Sequence, residues 1–415
     1  MGGFRKAAIV LSIALLVVYC AVFFQLRDQL SGGYSDFVSF YTAGTILERG
    51  SRTRLYDIQL QSAIQREIAP NVEIRQLALP FVRPAFEAWL FWPLACLSYR
   101  SAFVLWNLLN CGCLILAVLW LRNAVTPLQR ISRFVTVVSS LAFFPVFLTL
   151  LQGQDSILIL LVYVLAYKAF RRNRDLAGGM TLGLGICKFP LVIPFLVPFV
   201  VRGRLRVVSG FAISSLLLAA ASIATVGVAA SEYYPQYILN IDTIAQGVNR
   251  PRDMTNLRGL LAVLLPGFQS TKAGLALLLL GSILLIGLVV YKCRISSANS
   301  SSTFALAFSL DVVITVLVSY HCHAFDLCLL LLPIAILLGH VLSDLPAAAA
   351  VRKFLVWTLC ICLFSPLYIL LAFTLGSPGL LALLVAGLGA GTWVALANLN
   401  ARDSAGAAAT PQAIR

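Results

Sequence analysis

The sequence predicts an all-α polytopic membrane protein, and three observations carry that expectation. Hydrophobic residues make up 60% of the 415-residue chain and charged residues only 11%, with a mean hydropathy of +0.92, far from the range of a soluble globular protein. Apolar runs follow one another so closely that residues 1–398 leave no room for an independent soluble domain and read as one membrane domain. The net charge of +15 sits mainly in short turns between those runs, where Lys and Arg act as topology determinants, so nucleic acid is not expected as a partner.

A spanning helix needs about 20 largely apolar residues, and the side on which Lys and Arg gather fixes its direction. Arg5 and Lys6 precede the apolar run 7–26, which is too long for a signal peptide and has no small-residue cleavage site after it. It reads as a retained first span leaving the cytoplasm. Residues 27–80 form the longest polar segment, on the outer side. The stretch 79–97 contains Arg83, Pro84, Glu87 and Pro93, and counting it as a span would put the later Arg clusters on inconsistent sides. It reads as an interfacial or re-entrant segment.

With that choice 101–121 crosses inward, 134–150 outward and 155–170 inward. The flanks of 178–201, Arg171-Arg172-Asn-Arg174 and Arg202-Gly-Arg204-Leu-Arg206, are both basic, and Pro190, Pro194 and Pro198 oppose an uninterrupted helix. A hairpin of short helices with Lys188 near its tip follows. Then 207–229 crosses outward, 231–258 is a second outer loop and 259–272 an interfacial piece. Spans 273–291, 303–319, 326–343, 354–376 and 379–398 complete ten, with a disordered tail at 399–415 and both termini cytoplasmic. Nine of the ten cysteines lie inside or at the ends of apolar runs, and Cys111-Gly-Cys113 matches no zinc or redox spacing, so they read as small hydrophobes.

Lys and Arg alone define this topology, and Asp and Glu distribute unevenly over it. Of 16 acidic residues only Asp175, Asp344 and Asp403 fall in cytoplasmic segments and Asp311 within a span. The other acids lie on or near the outer face, where chemistry would be concentrated.

Asp36 stands among Tyr34, Phe37, Phe40 and Tyr41, aromatics suited to a short amphipathic helix at the interface. Held there, its carboxylate would be partly desolvated and more basic; as a neighbour of Ser35 it is equally a good helix cap. Lys188 lies in an apolar setting, where a charge is a functional candidate by default. It would bind a phosphate at the membrane boundary, or pair with Asp311 or snorkel to the surface. Gln152-Gly-Gln154-Asp155 is either a polar turn or a sugar-binding set of amides and carboxylate.

Two of the three histidines, His321 and His323, fall in an outer turn with Asp326, but ligands at i and i+2 without a companion carboxylate motif are weak evidence for a metal. Arg83 and Glu87 are spaced as a helix-surface ion pair, or Arg83 meets a lipid phosphate. Asn256 and Arg258 in the second outer loop are further candidates.

These residues also carry a family resemblance. Asp36-Phe-Val-Ser-Phe-Tyr41-Thr-Ala-Gly, then Gly50 to Leu55-Tyr56-Asp57, then Pro80-Phe-Val-Arg83-Pro84, resembles the start of glycosyltransferase family 87 in the GT-C superfamily. Gln152-Gly-Gln154-Asp155, the Gly-rich run into Lys188-Phe-Pro190, and Ser319-Tyr-His321 with Asp326-Leu follow in the expected order. The resemblance implies a GT-C fold with its active site on the extracytoplasmic face and Asp36 as catalytic residue. It implies a polyprenyl-phosphate-linked sugar donor, mannose in the first instance, and an inverting transfer to a lipid or glycan acceptor in the cell (inner) membrane. No cofactor is required and no metal ligand is assigned, while a divalent metal stays open as an alternative. The rival readings are a transporter or flippase of a lipid-linked sugar, against which the chain shows no convincing internal repeat, and an O-antigen-type polymerase or ligase with a different donor.

Overall fold

The computed structural model describes residues 2–70, 72, 78–244, 250–295, 301–343 and 348–409. Among them every regular element is helical, as the sequence predicts. The long apolar runs become Gly2–Ser31, Tyr99–Ala124, Leu205–Val226, Lys272–Ile295 and Leu381–Ala409, with Ser156–Arg171, Ser301–Val318 and Leu331–Leu342 shorter. The last helix continues to Ala409, beyond the end at 398 read from the sequence, and residues 410–415 lie outside the described residues.

Length and composition alone give six candidate spans among the described residues, or eight when each of two bent pairs is taken as one, fewer than the ten expected. The bent pairs are Arg133–Leu141 with Phe144–Gln152, at 63°, and Ala349–Leu363 with Ser365–Thr374, at 56°, where uninterrupted spans were read. Pro145 and Pro366 are the second residues of the two second halves, so each first turn lacks one backbone donor. The second break repairs the first: Ser365 Oγ accepts from Phe144 N at 3.1 Å and donates to Ala142 O at 2.9 Å. A broken backbone at membrane depth is tolerated when a neighbouring side chain satisfies it in this way.

The stretch Asp175–Val201 has the length of one 27-residue span, and a straight helix of that size would separate its ends by about 40 Å. Its ends instead lie together. Arg204 bridges Asp175 at 2.9 Å and Phe199 stacks on Phe170 at 5.3 Å. Asp175–Gly183 rises, the 3-10 turn Leu184–Lys188 reverses the chain, and Phe189–Val201 returns, with Pro194 and Pro198 inside it. This is the hairpin read from the flanking arginines, with Lys188 at its tip. Its rising arm packs closely on Leu205–Val226, because a Cβ on Gly179 would stand 2.0 Å from Val207 O and one on Gly210 2.1 Å from Leu176 O. The Gly-rich run is thus a helix-packing device of the small-residue kind.

The two ends of the bundle differ in chemistry. At one, Arg122 donates to the carbonyls of Gln129 and Ile131, Arg171 to that of Ala124, and Arg204 meets Asp175. At the other, described residues between Leu30 and Trp106 build a second apolar core together with Val226, Tyr237 and Ile241. There the helix Phe37–Glu48 is buried from Phe37 to Leu47, with Phe40 stacked on Phe91 at 4.7 Å and Gly44 pressed against the Phe91 carbonyl. The expected amphipathic surface helix is therefore a buried one, its apolar residues spread around all faces and covered by Ala88–Ala95 and the start of Tyr99–Ala124. Ala88–Ala95 has eight residues and is too short to cross, in keeping with the interfacial reading of 79–97.

The glycine contacts set an expectation for stability. Gly179→Ala should cost about 1–3 kcal/mol by overpacking, whereas Gly112→Ala, with nothing within 4 Å of the added Cβ, should be neutral or slightly stabilising. Thermal unfolding of both variants in detergent checks this; equal melting temperatures would show that the helix contact is loose.

Candidate active site

The site end is organised by the turn Gln152-Gly153-Gln154-Asp155. Gly153 adopts φ +62° and ends the helix Phe144–Gln152; any Cβ there would stand 2.7 Å from the Cβ of Phe37, and Trp106 Nε1 donates to its carbonyl at 2.8 Å. Glycine is required both for the left-handed backbone and for the space. Locked this way, the turn points its two amides at one residue. Gln152 Oε1 accepts from the backbone N–H of Asp36 at 3.2 Å, and Gln154 Nε2 donates to Asp36 Oδ2 at 2.8 Å.

Asp36 sits at the N-cap of Phe37–Glu48 yet makes no capping hydrogen bond with its side chain. Its carboxylate turns to Gln154, so capping does not account for it. Protein encloses the group while it keeps partial contact with solvent. Desolvation raises its pKa above the ordinary carboxylate value; the Gln154 hydrogen bond and then the charges of His323, Lys188 and Arg83 oppose that rise.

Beneath Asp36 lies a dry ion cluster. Lys188 Nζ contacts Asp155 Oδ1 at 2.8 Å, Asp326 Oδ1 and Ser156 Oγ, and is 3% exposed. Arg83 reaches Asp155 Oδ1 at 3.1 Å and keeps 14% of its side-chain surface. Asp326 also accepts from the backbone N–H of His323 at 2.9 Å, which ties the histidine turn to the floor. His321 and His323 meet edge to face with ring centroids 4.6 Å apart, and desolvation holds His321 well below the usual histidine range, hence neutral. Two cations face two carboxylates, and the cluster is charge-balanced before Glu87 is counted.

The sequence candidates therefore divide into three groups. Asp36, Gln152, Arg83, His321 and His323 form a partly exposed rim. Gln154, Asp155, Lys188 and Asp326 form the buried floor, so Asp155 and Asp326 have no surface to offer a sugar. The Lys188 ammonium is held by two carboxylates within the protein, and Asp311, a candidate partner in the sequence, is not among its contacts; Asp311 Oδ1 is buried without a hydrogen bond. Gln152 Oε1 and Gln154 Nε2 are engaged by Asp36, while Gln154 Oε1 is buried without a hydrogen bond.

Tyr41, Asn256 and Arg258 stay apart from the cluster. Tyr41 donates to the carbonyl of Leu97, burying its ring; Asn256 caps Leu257–Leu264 and donates to Ser319 O; Arg258 lies over Tyr320. Asn256 acts at a distance, since with the Thr255 N–H to Cys322 O bond it pins the turn that carries both histidines. Glu87 is the member that sequence spacing undervalued, because burial, not spacing, sets it apart. Among the described residues, Glu87, Asp155 and Cys187 are close enough to share a metal ion, but Arg83 and Lys188 on the same Asp155 oxygen disfavour a cation there.

This is an all-α membrane protein with a basic carboxylate poised over a buried ion network at one end of its bundle. The profile of glycosyltransferase family 87 matches residues 81–319, more than half of the chain, and the chain belongs to that family. It is thus a membrane glycosyltransferase. The match spans Arg83, the glutamine turn, Lys188, Asn256 and Arg258, while Asp36, His321, His323 and Asp326 lie outside it. Neither the curated proteins nor the solved structures give a match.

The floor makes its own prediction. Lys188→Met leaves Asp155 and Asp326 buried without their shared cation and should destabilise by about 3–5 kcal/mol. Adding Asp326→Asn should restore part of the loss. A double-mutant cycle of denaturant or thermal midpoints measures the coupling, and strictly additive effects would show that the pair is not energetically joined.

Proposed function

We propose that the chain moves a hexose, mannose in the first instance, from a polyprenyl-phosphate-linked donor to a hydroxyl of a lipid or glycan acceptor, with inversion. The reaction takes place at the extracytoplasmic face of the cell (inner) membrane. The observation that carries this reading is the carboxylate of Asp36, held by one oxygen, raised in basicity by burial, and still in partial contact with solvent.

Asp36 takes the proton of the acceptor hydroxyl as general base. The acceptor oxygen attacks the anomeric carbon while the bond from that carbon to the phosphate oxygen breaks. The lipid phosphate departs with the electron pair and needs neutralisation more than protonation. Arg83, the rim cation above the floor, meets that phosphate, and Lys188 supports it from behind Asp155. His321 and His323 border the same opening. No metal or other cofactor is needed for this step. On the positive-inside rule the arginine-rich end is cytoplasmic, which puts both termini inside and Asp36 outside.

The test is transfer by purified protein in liposomes from radiolabelled polyprenyl-phosphate-mannose to mixed lipid acceptors. Wild type should move label to an acceptor, and Asp36→Asn, correctly folded, should lose about 10²–10⁴-fold of the rate or more. Undiminished transfer by the variant would remove Asp36 from the mechanism. Label crossing the bilayer unchanged in both proteins would replace the enzyme with a flippase, and consumption of pyrophosphate-linked oligosaccharide instead would point to a polymerase or ligase.

A pH profile tests the base separately. Asp36 must be ionised to act, so the acid limb of transfer should lie above the ordinary carboxylate value of about 3.9. Gln154 stabilises the ionised form by hydrogen bonding, so Gln154→Ala should move that limb to higher pH. A limb that stays in place or moves down would show that another group controls it.

A further inference from the structure

The Glu87 carboxyl has no role in the mechanism above, yet it lies in the dry part of the cluster. It is 1% exposed and neither of its oxygens has a hydrogen-bond partner. Arg83 Nε stands 3.8 Å from Oε2, beyond hydrogen-bond range. Across from it, Asp155 gives Oδ1 to both Arg83 and Lys188 while its Oδ2 is equally orphaned. One oxygen of each carboxyl and the Cys187 sulfur lie within 4.8 Å of one another. Buried acceptors facing one another with no hydrogen between them are costly, and a single proton resolves the conflict. Charge balance agrees, because Arg83 and Lys188 are already matched by Asp155 and Asp326, and an ionised Glu87 would be an uncompensated buried charge.

We propose that Glu87 is protonated at neutral pH and donates its hydroxyl to Asp155 Oδ2, acting as a positioning residue that fixes Asp155 and, through it, Arg83. The groups facing it are Arg83, Asp155, Lys188, Cys187, Tyr56 and Tyr234; the two phenols are engaged by the carbonyls of Arg83 and Val82. Burial acts in the same direction, since desolvation and then the neighbouring Asp155 raise the Glu87 carboxyl well above its ordinary range. A group whose pKa is raised on folding favours the fold at low pH, and that contribution falls as pH rises from about 4.3, the unfolded glutamate value. Asp155 and Asp326 are acids bound to cations and act in the opposite sense, so the difference between wild type and a Glu87 variant isolates the term. The protonation stands on the geometry alone, while its consequence for transfer rests on the function proposed above.

The experiment is infrared difference spectroscopy of the full chain in liposomes at neutral pH. The carbonyl stretch of a protonated carboxyl should be present in wild type, absent in Glu87→Gln and retained in Asp36→Asn. Glu87→Gln keeps size and a donor, so it should fold, and its melting temperature should decline less with rising pH than that of wild type. In transfer assays Glu87→Gln should exceed Glu87→Ala by about tenfold or more, the scale of one buried unsatisfied acceptor. If no carboxyl band is lost in Glu87→Gln, or if that neutral isostere fails to fold, Glu87 is ionised and the proposal is wrong. The spectra and melts need no donor, so they remain decisive even where transfer itself is not observed.

Discussion

An ammonium buried among apolar helices is the constraint to which the site end answers. Removing Lys188 from water costs several kcal/mol, which only close and well-hydrogen-bonded anions can offset. The chain supplies two of them from segments far apart in sequence, Asp155 at the start of Ser156–Arg171 and Asp326 at the start of the 3-10 turn Asp326–Leu330. Meeting that requirement fixes the hairpin tip against two helix starts, and Asp155 then fixes Arg83 on the adjoining loop. Asp326 reaches on to the backbone of His323. One charge thereby determines the relative position of four segments.

Asp36 stands beside this network under different rules. Asp155 and Asp326 touch cations directly, which holds their charge in place and leaves them unreactive. Asp36 receives an amide hydrogen bond and only the distant field of the cations, so burial is less fully opposed and the group becomes more basic. Two kinds of partner, ammonium for Asp155 and Asp326 and carboxamide for Asp36, give the carboxylates of one cluster different basicity. The glutamine turn makes the difference possible, because a single glycine in the left-handed region sets two amides to grip the backbone and the carboxylate of the same residue.

Much of this was legible in the sequence, and the losses have physical reasons. Apolar runs and flanking arginines gave the helical bundle and the folded-back hairpin, because each depends on composition over many residues. The breaks at Ala142 and Phe364 were missed: a proline in the first turn of a helix is tolerated locally, and the signal that two breaks pair lies in Ser365, far away in the chain. Polar residues in apolar surroundings marked Lys188, Arg83 and the glutamine turn, but not who pairs with whom. Asp311 and Asp326 are equivalent partners for Lys188 by type, and only tertiary packing distinguishes them. Tyr41, Asn256 and Arg258 carry the same signal and use it for scaffolding. Arg83 and Glu87 do stand as an i, i+4 ion pair at 3.8 Å, but spacing alone does not reveal that Glu87 is wholly buried and also faces the carboxyl of Asp155.

The division into a dry floor and a partly wet rim limits where specificity can reside. Under the proposed function, substrate arriving from the surface would meet Asp36, Gln152, Arg83 and the histidine pair, while Lys188, Asp155, Asp326 and Glu87 would act only through those groups. Rim residues could vary in shape at the modest energetic cost of surface substitutions. The floor cannot, because any change that alters its charge leaves a buried ion without a partner. The pH response should divide in the same way. Catalysis would follow the ionisation of a single rim carboxylate, and stability the charge balance of a cluster that no substrate touches.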